Sequence, residues 1–340
     1  MHELTNDFFV EDLGIVEEWV YDIEVENCHN FFANDILVHN SVYLSLSPVV
    51  QKWNSQQKLS KAEIVSKLDE FCENTIQPFI VEKYNEIAKY SNLYENRLAM
   101  KREAIADAAI WRAKKNYIIQ IWDNEGVRYK EPKIKTMGVE AKRSSTPALI
   151  KKKLVECYDI LINKTEEDIQ KYIKDFRSEY ENLDLETIAF PRGVSDIDKW
   201  YDGNGGWASG TPIHVKASVV YNNLVVQTKT EHKYQKVTNG TKIKFIYLKQ
   251  PNKTFNNCIG FVDELPQEFD LHGHIDYNTQ FTKSFLDPVT SFTNCIGWKT
   301  EPTVDMFSFF GGESTQEKVE VVKPRTKQIT KQSSLSEFFN

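Results

Sequence analysis

The sequence has few cysteines and no paired pattern among them. Its five cysteines are odd in number, scattered, and never in C-x-x-C spacing. Zinc sites and disulfide frameworks need defined cysteine spacings, so these residues are interpreted as reduced cytosolic thiols. No apolar run approaches the roughly 18 residues of a membrane span, and the N-terminus has no basic-then-apolar signal pattern. The sequence therefore predicts a soluble protein with no membrane partner.

The first 40 residues also lack Lys and Arg, although they carry ten acidic side chains. The first basic residue is Lys52, and the other 300 residues hold 42 basic and 39 acidic groups. The net charge of −7 is therefore unevenly distributed: residues 1–40 are strongly acidic, and residues 41–340 are slightly basic. This difference predicts different binding partners for the two segments. A chain of 340 residues is long enough for two or three domains.

Residues 1–40 read as part of a β domain. Residues 15–25 are rich in β-branched and aromatic side chains, but forty residues are too few for an independent β domain. The segment ends in His39-Asn40-Ser41. An Asn amide can attack its own carbonyl and cut the chain, a Ser hydroxyl can accept an acyl group as an ester, and an imidazole can assist.

The run from Val20 to Asn40 resembles the C-terminal splicing blocks of inteins, with a Val-Tyr-Asp-Ile strand, a His-Asn-Phe-Phe turn and a short apolar strand. The resemblance implies an all-β, Hint-type fragment of a naturally split intein, because the threonine-histidine block of the other half is missing. It assigns Asp22 and His29 to transesterification, His39 to supporting cyclisation, Asn40 to cyclisation and Ser41 to acyl acceptance. The alternatives are an inert β-hairpin, a surface carboxylate at Asp22 and a structural histidine at His29.

Beyond Ser41, an alternating strand is followed by helical periodicity over 62–72 and 76–90. Three motifs then occur in order: Lys115-x-Tyr117, the run WD-x-EG-x-RY-x-EP over 122–132, and Met-Gly-x-Glu-x-x-x-Ser-Ser-Thr-Pro over 137–147. They resemble family B replicative DNA polymerases of the T-even bacteriophage type. The resemblance covers 41–310 and implies a multidomain chain, with an α+β palm segment at 41–137 and a mixed α/β thumb at 138–310.

In that family, Ser41-Val42-Tyr43 would continue the palm motif Asp-Thr-Asp-Ser. Its two carboxylates hold the Mg²⁺ ions that act on dNTP substrates. Those aspartates would lie on a partner chain, so no metal ligand is expected on this one. The resemblance further implies an N-terminal polymerase and split-intein partner, and the cytoplasm of an infected bacterial host.

The segment 97–117 is strongly basic, which suits a duplex backbone. By resemblance, Lys115 and Tyr117 touch DNA near the primer terminus, and the other DNA-binding candidates are Arg112, Lys114, Lys142 and Arg143. The alternative is a solvated basic face. Asn116 stands where the family is often more basic, which would weaken a phosphate contact.

The thumb region shows two helix starts, with Thr146 as N-cap before Pro147 and a capping box at Thr165. Lys151, Lys152 and Lys153 are either phosphate contacts or solubilising charge. Residues 213–246 have a β pattern.

The polar segment 311–340 is expected to be disordered. It ends in a run that resembles the sliding-clamp peptide Q-x-x-L-x-x-F-F, formed by Gln332, Leu335, Phe338 and Phe339. The alternative is an apolar tail that folds back on the thumb.

The sequence thus predicts half of a split DNA polymerase joined to its partner by trans-splicing. Two other classes stay open: a non-splicing accessory subunit that docks on a separate catalytic chain, and a DNA- and clamp-binding module.

Overall fold

The computed structural model describes residues 20–25, 30–33, 36–39, 41–90, 92–96, 98–200 and 207–302, with side chains from Tyr43 onward. The chain divides into two units, residues 1–302 and 303–340, and all described residues lie in the first. His29, Asn40 and the clamp-peptide residues Gln332, Leu335, Phe338 and Phe339 lie outside the described residues.

The strands of the described residues form three antiparallel sheets. Their bounds are β1 Val20–Val25, β2 Asn30–Ala33, β3 Ile36–His39, β4 Ser41–Ser45, β5 Met100–Ala113, β6 Asn116–Asn124, β7 Val127–Met137, β8 Phe190–Gly193, β9 Lys242–Tyr247 and β10 Cys258–Phe261. The largest sheet has the order β4-β1-β5-β6-β7, the second β10-β9-β8, and β2 and β3 form a hairpin.

Helices pack against the two larger sheets. Their bounds are α1 Ser47–Gln56, α2 Lys61–Phe71, α3 Gln77–Tyr90, α4 Ala148–Asn163, α5 Glu166–Tyr180, α6 Leu185–Ile188, α7 Ile197–Trp200, α8 Ile213–Gln227, α9 Tyr277–Phe281 and α10 Asp287–Thr293. Single π-helical turns at Cys72–Ile76 and Thr282–Leu286 join α2 to α3 and α9 to α10. Within the described ranges, no helix combines the length and apolarity that a bilayer crossing requires.

The central sheet is built from tight hairpins. Glu125 and Gly126, both at positive φ, form the β6–β7 turn, as two-residue hairpin loops require. The edge strand β7 carries Pro132 and three lysines, which discourage pairing with another chain. Val65 and Leu68 of α2 pack with Ile105 of β5 in one buried cluster. This packing fixes the helical layer on the sheet.

The helices α4 and α5 begin a second and larger core. The predicted capping box of α5 is confirmed, since the Thr165 hydroxyl accepts from the Asp168 N–H and the Asp168 carboxylate accepts from the Thr165 N–H. Phe176 of α5 meets Phe285 with ring centroids 4.8 Å apart. Aromatic packing therefore joins α5 to the α9–α10 segment.

Two sequence predictions are wrong. The run from Ile213, expected as strand, is the helix α8, because it is buried on several sides and shows no one-sided helical period. Thr146 is not an N-cap, since Pro147 occupies that position and the Thr146 hydroxyl donates to the Glu140 carbonyl at 2.8 Å. The strand expected near Ile243 is confirmed as β9.

The described part of the chain is a mixed α/β structure, and no intein fold is identified in it. Residues 1–40 were expected to form a separate β fragment. Their strand β1 instead lies in the interior of the largest sheet, where it pairs with β4 and β5. Its β-prone sequence finds backbone partners there.

Candidate nucleic-acid interface

The turn between β5 and β6 presents two exposed lysines, Lys114 and Lys115. Asn116 follows them and is buried, and its side-chain amide donates to the Gly138 carbonyl at 3.1 Å. Asn116 therefore holds the turn against the segment after β7. This role explains why a neutral amide can stand at a position where a further cation was expected.

Gly138 permits that close approach. It has φ +65°, and a Cβ there would lie 2.1 Å from the carbonyl oxygen of Lys115. Only glycine combines this backbone conformation with the available space. The Met-Gly element of the sequence thus brings the lysine turn and the following 3₁₀ turn, Glu140–Lys142, side by side.

Two of the predicted arginines meet at Glu140. Arg112 and Arg143 lie 3.9 and 3.7 Å from Glu140 Oε1, longer than normal hydrogen bonds. Arg112 also donates to the Ser291 hydroxyl at 2.8 Å, which ties β5 to α10. Because the single carboxylate of Glu140 faces two guanidinium groups, Arg112 and Arg143 together keep a net positive charge. They also keep N–H groups that can donate to a ligand.

A surface cavity of about 300 Å³ opens beside these arginines. It adds Arg192 of β8 and Lys283, so four cations and the two carboxylates of Glu140 and Asp287 line it together with Ser145, Thr146, Phe190, Ser284 and Pro288. Lys283 is paired with Asp287 at 2.8 Å. We call the group Arg112, Arg143, Arg192 and Lys283 the basic cavity.

Arg192 is the most distinctive member of the basic cavity. Among the described residues it has no ion-pair partner, and burial followed by the charge of Arg143 lowers the pKa of its guanidinium. Burial and then the charge of Arg192 also lower the pKa of His214. An unneutralised, half-buried guanidinium favours an anionic ligand.

Sequence reasoning missed Arg192 and Lys283. They lie 80 and 171 residues after Arg112, in segments without a basic run or a phosphate motif. Their only signal is spatial, since folding brings β8 and the α9–α10 segment to the end of β5.

Tyr117 lies in an aromatic cluster below the surface. It is 6% exposed, and its ring centroid lies 5.7 Å from that of Tyr43 and 4.8 Å from that of Trp111. Trp111 is 38% exposed and forms the outer side of the cluster. Tyr117 in this structure supports the surface that Trp111 presents, and its predicted DNA contact stays a prediction.

The remaining predicted cations differ in their surroundings. Lys142 is exposed beside Arg143. Lys153 pairs with Glu179 at 2.9 Å and lies 4.7 Å from the Phe176 ring centroid, which indicates a structural role. Lys151 is half-buried and Lys152 is exposed.

The motif from Trp122 to Tyr129 contributes to an ion-pair network centred on Asp123. Asp123 is fully buried and accepts from Arg102, from Arg128 Nε at 3.4 Å and from the Gly126 N–H at 2.9 Å. Asp69 of α2 pairs with Arg102 and Arg128, each at 2.8 Å. This network links α2 to the large sheet. The motif therefore has a structural role in the described fold.

Three of the predicted splicing residues lie in described strands: Asp22 in β1, His39 in β3 and Ser41 in β4. In backbone register, Asp22 lies between Tyr43 and Ala104, Ser41 pairs with Glu24, and His39 pairs with Asn30. Their predicted roles stay predictions.

Across the residues that the structure describes, no group of three or more His, Cys, Asp or Glu could hold a metal ion. The described donor set therefore does not fit a magnesium centre.

The exposed lysines and the basic cavity offer the positive charge that a polyanionic backbone attracts. No protein-family model matches the chain. The chain is 30% identical over 284 residues to the DNA-directed DNA polymerase of Enterobacteria phage T4, and equally to that of Escherichia phage RB69. Each alignment spans 80% of this chain and 31% of the relative. The chain is thus homologous to part of a phage family B DNA polymerase and spans about a third of those relatives' length.

Proposed function

We propose that this chain is the C-terminal half of a split phage-type replicative DNA polymerase, joined to its N-terminal half by trans-splicing at Asn40 and Ser41. The observation that carries the proposal is partial homology: 80% of the chain matches about a third of a polymerase, and the chain also contains a splicing-type Asn40-Ser41 pair. Residues 41–137 supply the end of the palm, 138–310 the thumb, and 311–340 a clamp-binding tail.

DNA binding in this proposal belongs to the basic surface. Duplex phosphates release counterions when lysines and arginines neutralise them, so an exposed cationic surface gains affinity without reading sequence. Lys114, Lys115 and Lys142 supply exposed charge, and the basic cavity supplies a recessed phosphate site. The polymerase activity itself requires the partner, whose aspartates would hold Mg²⁺ next to the dNTP.

Splicing in this proposal proceeds through two acyl transfers. Ser41 Oγ attacks the carbonyl carbon of the ester or thioester that links the partner's acyl group to the nucleophilic first residue of the partner's intein half. The new ester to Ser41 forms as the bond to that residue breaks, the side chain of that residue leaves with the proton, and His29 and Asp22 assist. The Asn40 side-chain nitrogen then attacks its own carbonyl carbon, which breaks the Asn40–Ser41 peptide bond and forms a succinimide, while His39 assists proton transfer. The freed Ser41 amine attacks the ester, forms the amide and returns the hydroxyl.

The test is the mass of the products when the two chains are mixed. Wild-type chain should release residues 1–40 and yield one ligated chain with primer-extension activity. Asn40→Ala should block cleavage at the junction and leave a branched ester or unligated chains. Normal ligation by Asn40→Ala would contradict the mechanism.

The mixing experiment also separates the other functional classes. A non-splicing accessory subunit would restore primer extension with both chains at their original masses. A DNA- and clamp-binding module would bind primer-template without restoring extension. Replacing Phe338 and Phe339 with Ala should remove clamp stimulation and leave distributive synthesis unchanged, because exposed aromatics are frequent binding hot spots.

A further inference from the structure

The strand β1 occupies an interior position in the largest sheet, although it belongs to the acidic N-terminal segment. It runs antiparallel to β4 on one side and to β5 on the other. Val20 pairs with Ser45 and Ala106, and Glu24 pairs with Ser41 and Lys101. The segment that splicing would remove therefore fills a place between two strands that would remain.

The position of β4 does not depend on β1 alone. The Tyr43 ring centroid lies 3.9 Å from that of Trp111 on β5, and Leu46, just after β4, is buried in a cluster with Ile105. Leu44 packs against the same cluster. These contacts hold β4 on the palm segment when β1 leaves.

Removal of β1 would open a slot between β4 and β5. Two inter-strand spacings make that slot roughly 9–10 Å wide, which fits one extended chain. Backbone donors and acceptors of both flanking strands would face into it, and a buried backbone group without a partner is unfavourable. An extended segment that pairs with both strands would satisfy them.

The chain ligated to Ser41 is suited to enter the slot. It is continuous with β4, and a tight turn before Ser41 would return it antiparallel to β4, the direction that β1 already has. Pairing at the outer edge of β4 would leave the slot empty, whereas pairing inside it restores both ladders.

We propose that β1 is a placeholder strand, and that the slot between β4 and β5 is the docking site for the partner's strand that precedes Ser41 after ligation. The second part rests on the proposed function. The first part concerns this chain alone and is tested without splicing. Release of β1 is then coupled to assembly, since the same backbone groups exchange one strand for another.

Hydrogen exchange on the isolated full chain tests the placeholder. Ile23→Pro removes a donor inside β1, so those amides of 100–106 that face β1 should exchange about tenfold or more faster, because the ladder opens locally. The matched control is Ile15→Pro, which lies outside β1 and should leave their exchange unchanged. The amides of 118–121 on β6 report whether the sheet itself remains folded. Unchanged exchange at 100–106 in Ile23→Pro would overturn the placeholder.

A cross-link gives an independent answer if the proline variant fails to fold. Glu24→Cys with Lys101→Cys joins register partners, in a Cys28→Ser, Cys295→Ser background, and should oxidise readily to a disulfide. Glu18→Cys with Lys101→Cys is the control, with one cysteine outside β1. Equal cross-linking of the two pairs would overturn the placeholder.

The docking site is tested with the partner chain. The cross-linked chain should fail to ligate and should recover on reduction, and the ligated product should show protected amides at 100–106 although residues 1–40 are gone. Ligation with the cross-link intact, or rapid exchange at 100–106 in the product, would overturn the docking site. Absence of ligation in the wild-type chain would instead contradict the proposed function and leave the placeholder result standing.

Discussion

Arginines serve opposite purposes in two regions of this molecule. Arg102 and Arg128 share the carboxylates of Asp69 and Asp123 in an ion-pair network, where each charge has a partner. Arg143 and Arg192 line the basic cavity, where Arg143 meets Glu140 only at 3.7 Å and Arg192 has no ion-pair partner among the described residues. Paired arginines hold the fold, and incompletely neutralised arginines are available to a ligand. The two pairs of arginines differ in whether carboxylates lie close enough to neutralise their charge.

The largest expected effect comes from removing a carboxylate from the ion-pair network of Arg102 and Arg128. Asp123→Asn should destabilise the protein by about 3 kcal/mol, because Arg102 and Arg128 lose the fully buried carboxylate that they share. The measurement is the midpoint of urea unfolding at unchanged slope. Asp159→Asn, at an exposed helical position, is the control. Equal stability of the two variants would contradict the structural role of the network.

The next effect concerns the backbone that positions the lysine turn. Gly138→Ala places a Cβ 2.1 Å from the Lys115 carbonyl oxygen at φ +65°. We expect a loss of about 2 kcal/mol or more in unfolding free energy, since both strain and collision act.

Gly126→Ala is a matched control for Gly138→Ala. Gly126 also has positive φ, +84°, but no atom lies within 4 Å of a Cβ there. The difference between the two variants therefore isolates the collision from the conformational strain. Equal losses would show that the close approach of Gly138 to Lys115 does not matter.

The smallest expected effect concerns the basic cavity. Arg192→Met should weaken primer-template binding by the spliced protein about tenfold or less and lower its salt slope by about 1, as expected for one lost phosphate contact. Arg177→Met is the control, because Arg177 lies on α5 and pairs with Glu301. Equal losses in both variants would remove the basic cavity from the DNA surface.

Titration of His214 provides a second readout of Arg192 in the isolated chain. The charge of Arg192 contributes to the lowered pKa of His214, so Arg192→Met should raise that pKa toward 6.5. Inorganic phosphate bound in the basic cavity should raise it as well, by offsetting the same charge. NMR of the imidazole, assigned with His214→Gln, measures both shifts. A pKa that responds to neither change would argue against an anion beside Arg192.

The titration also has a consequence for stability. Since the folded state lowers the pKa of His214, it binds this proton less readily than the unfolded state does. The contribution to stability is therefore complete above the unfolded value of 6.5 and declines as the pH falls below it.

The local sequence pattern was sufficient to predict an element that buries only one face. The apolar spacing of Ile64 and Leu68 predicted α2, and Thr165 with Asp168 predicted the start of α5. The run from Ile213 failed because α8 is buried on several sides, so its β-branched residues carry no helical period. The basic segment 97–117 was identified from its charge, whereas Arg192 lies in no basic run and was missed.

The sequence by itself determined the Asn40-Ser41 pair on which the proposed splicing depends, the charge division at residue 40, and the homology to part of the phage polymerases. Only the tertiary structure decided which charges are neutralised, where β1 lies, and why Gly138 must be glycine. The reason is physical: residue types and short spacings are local properties, whereas burial, ion pairing and strand order depend on contacts between distant segments. Arg102 and Arg192 are the same residue type, and only the neighbours that folding gives them separate their roles.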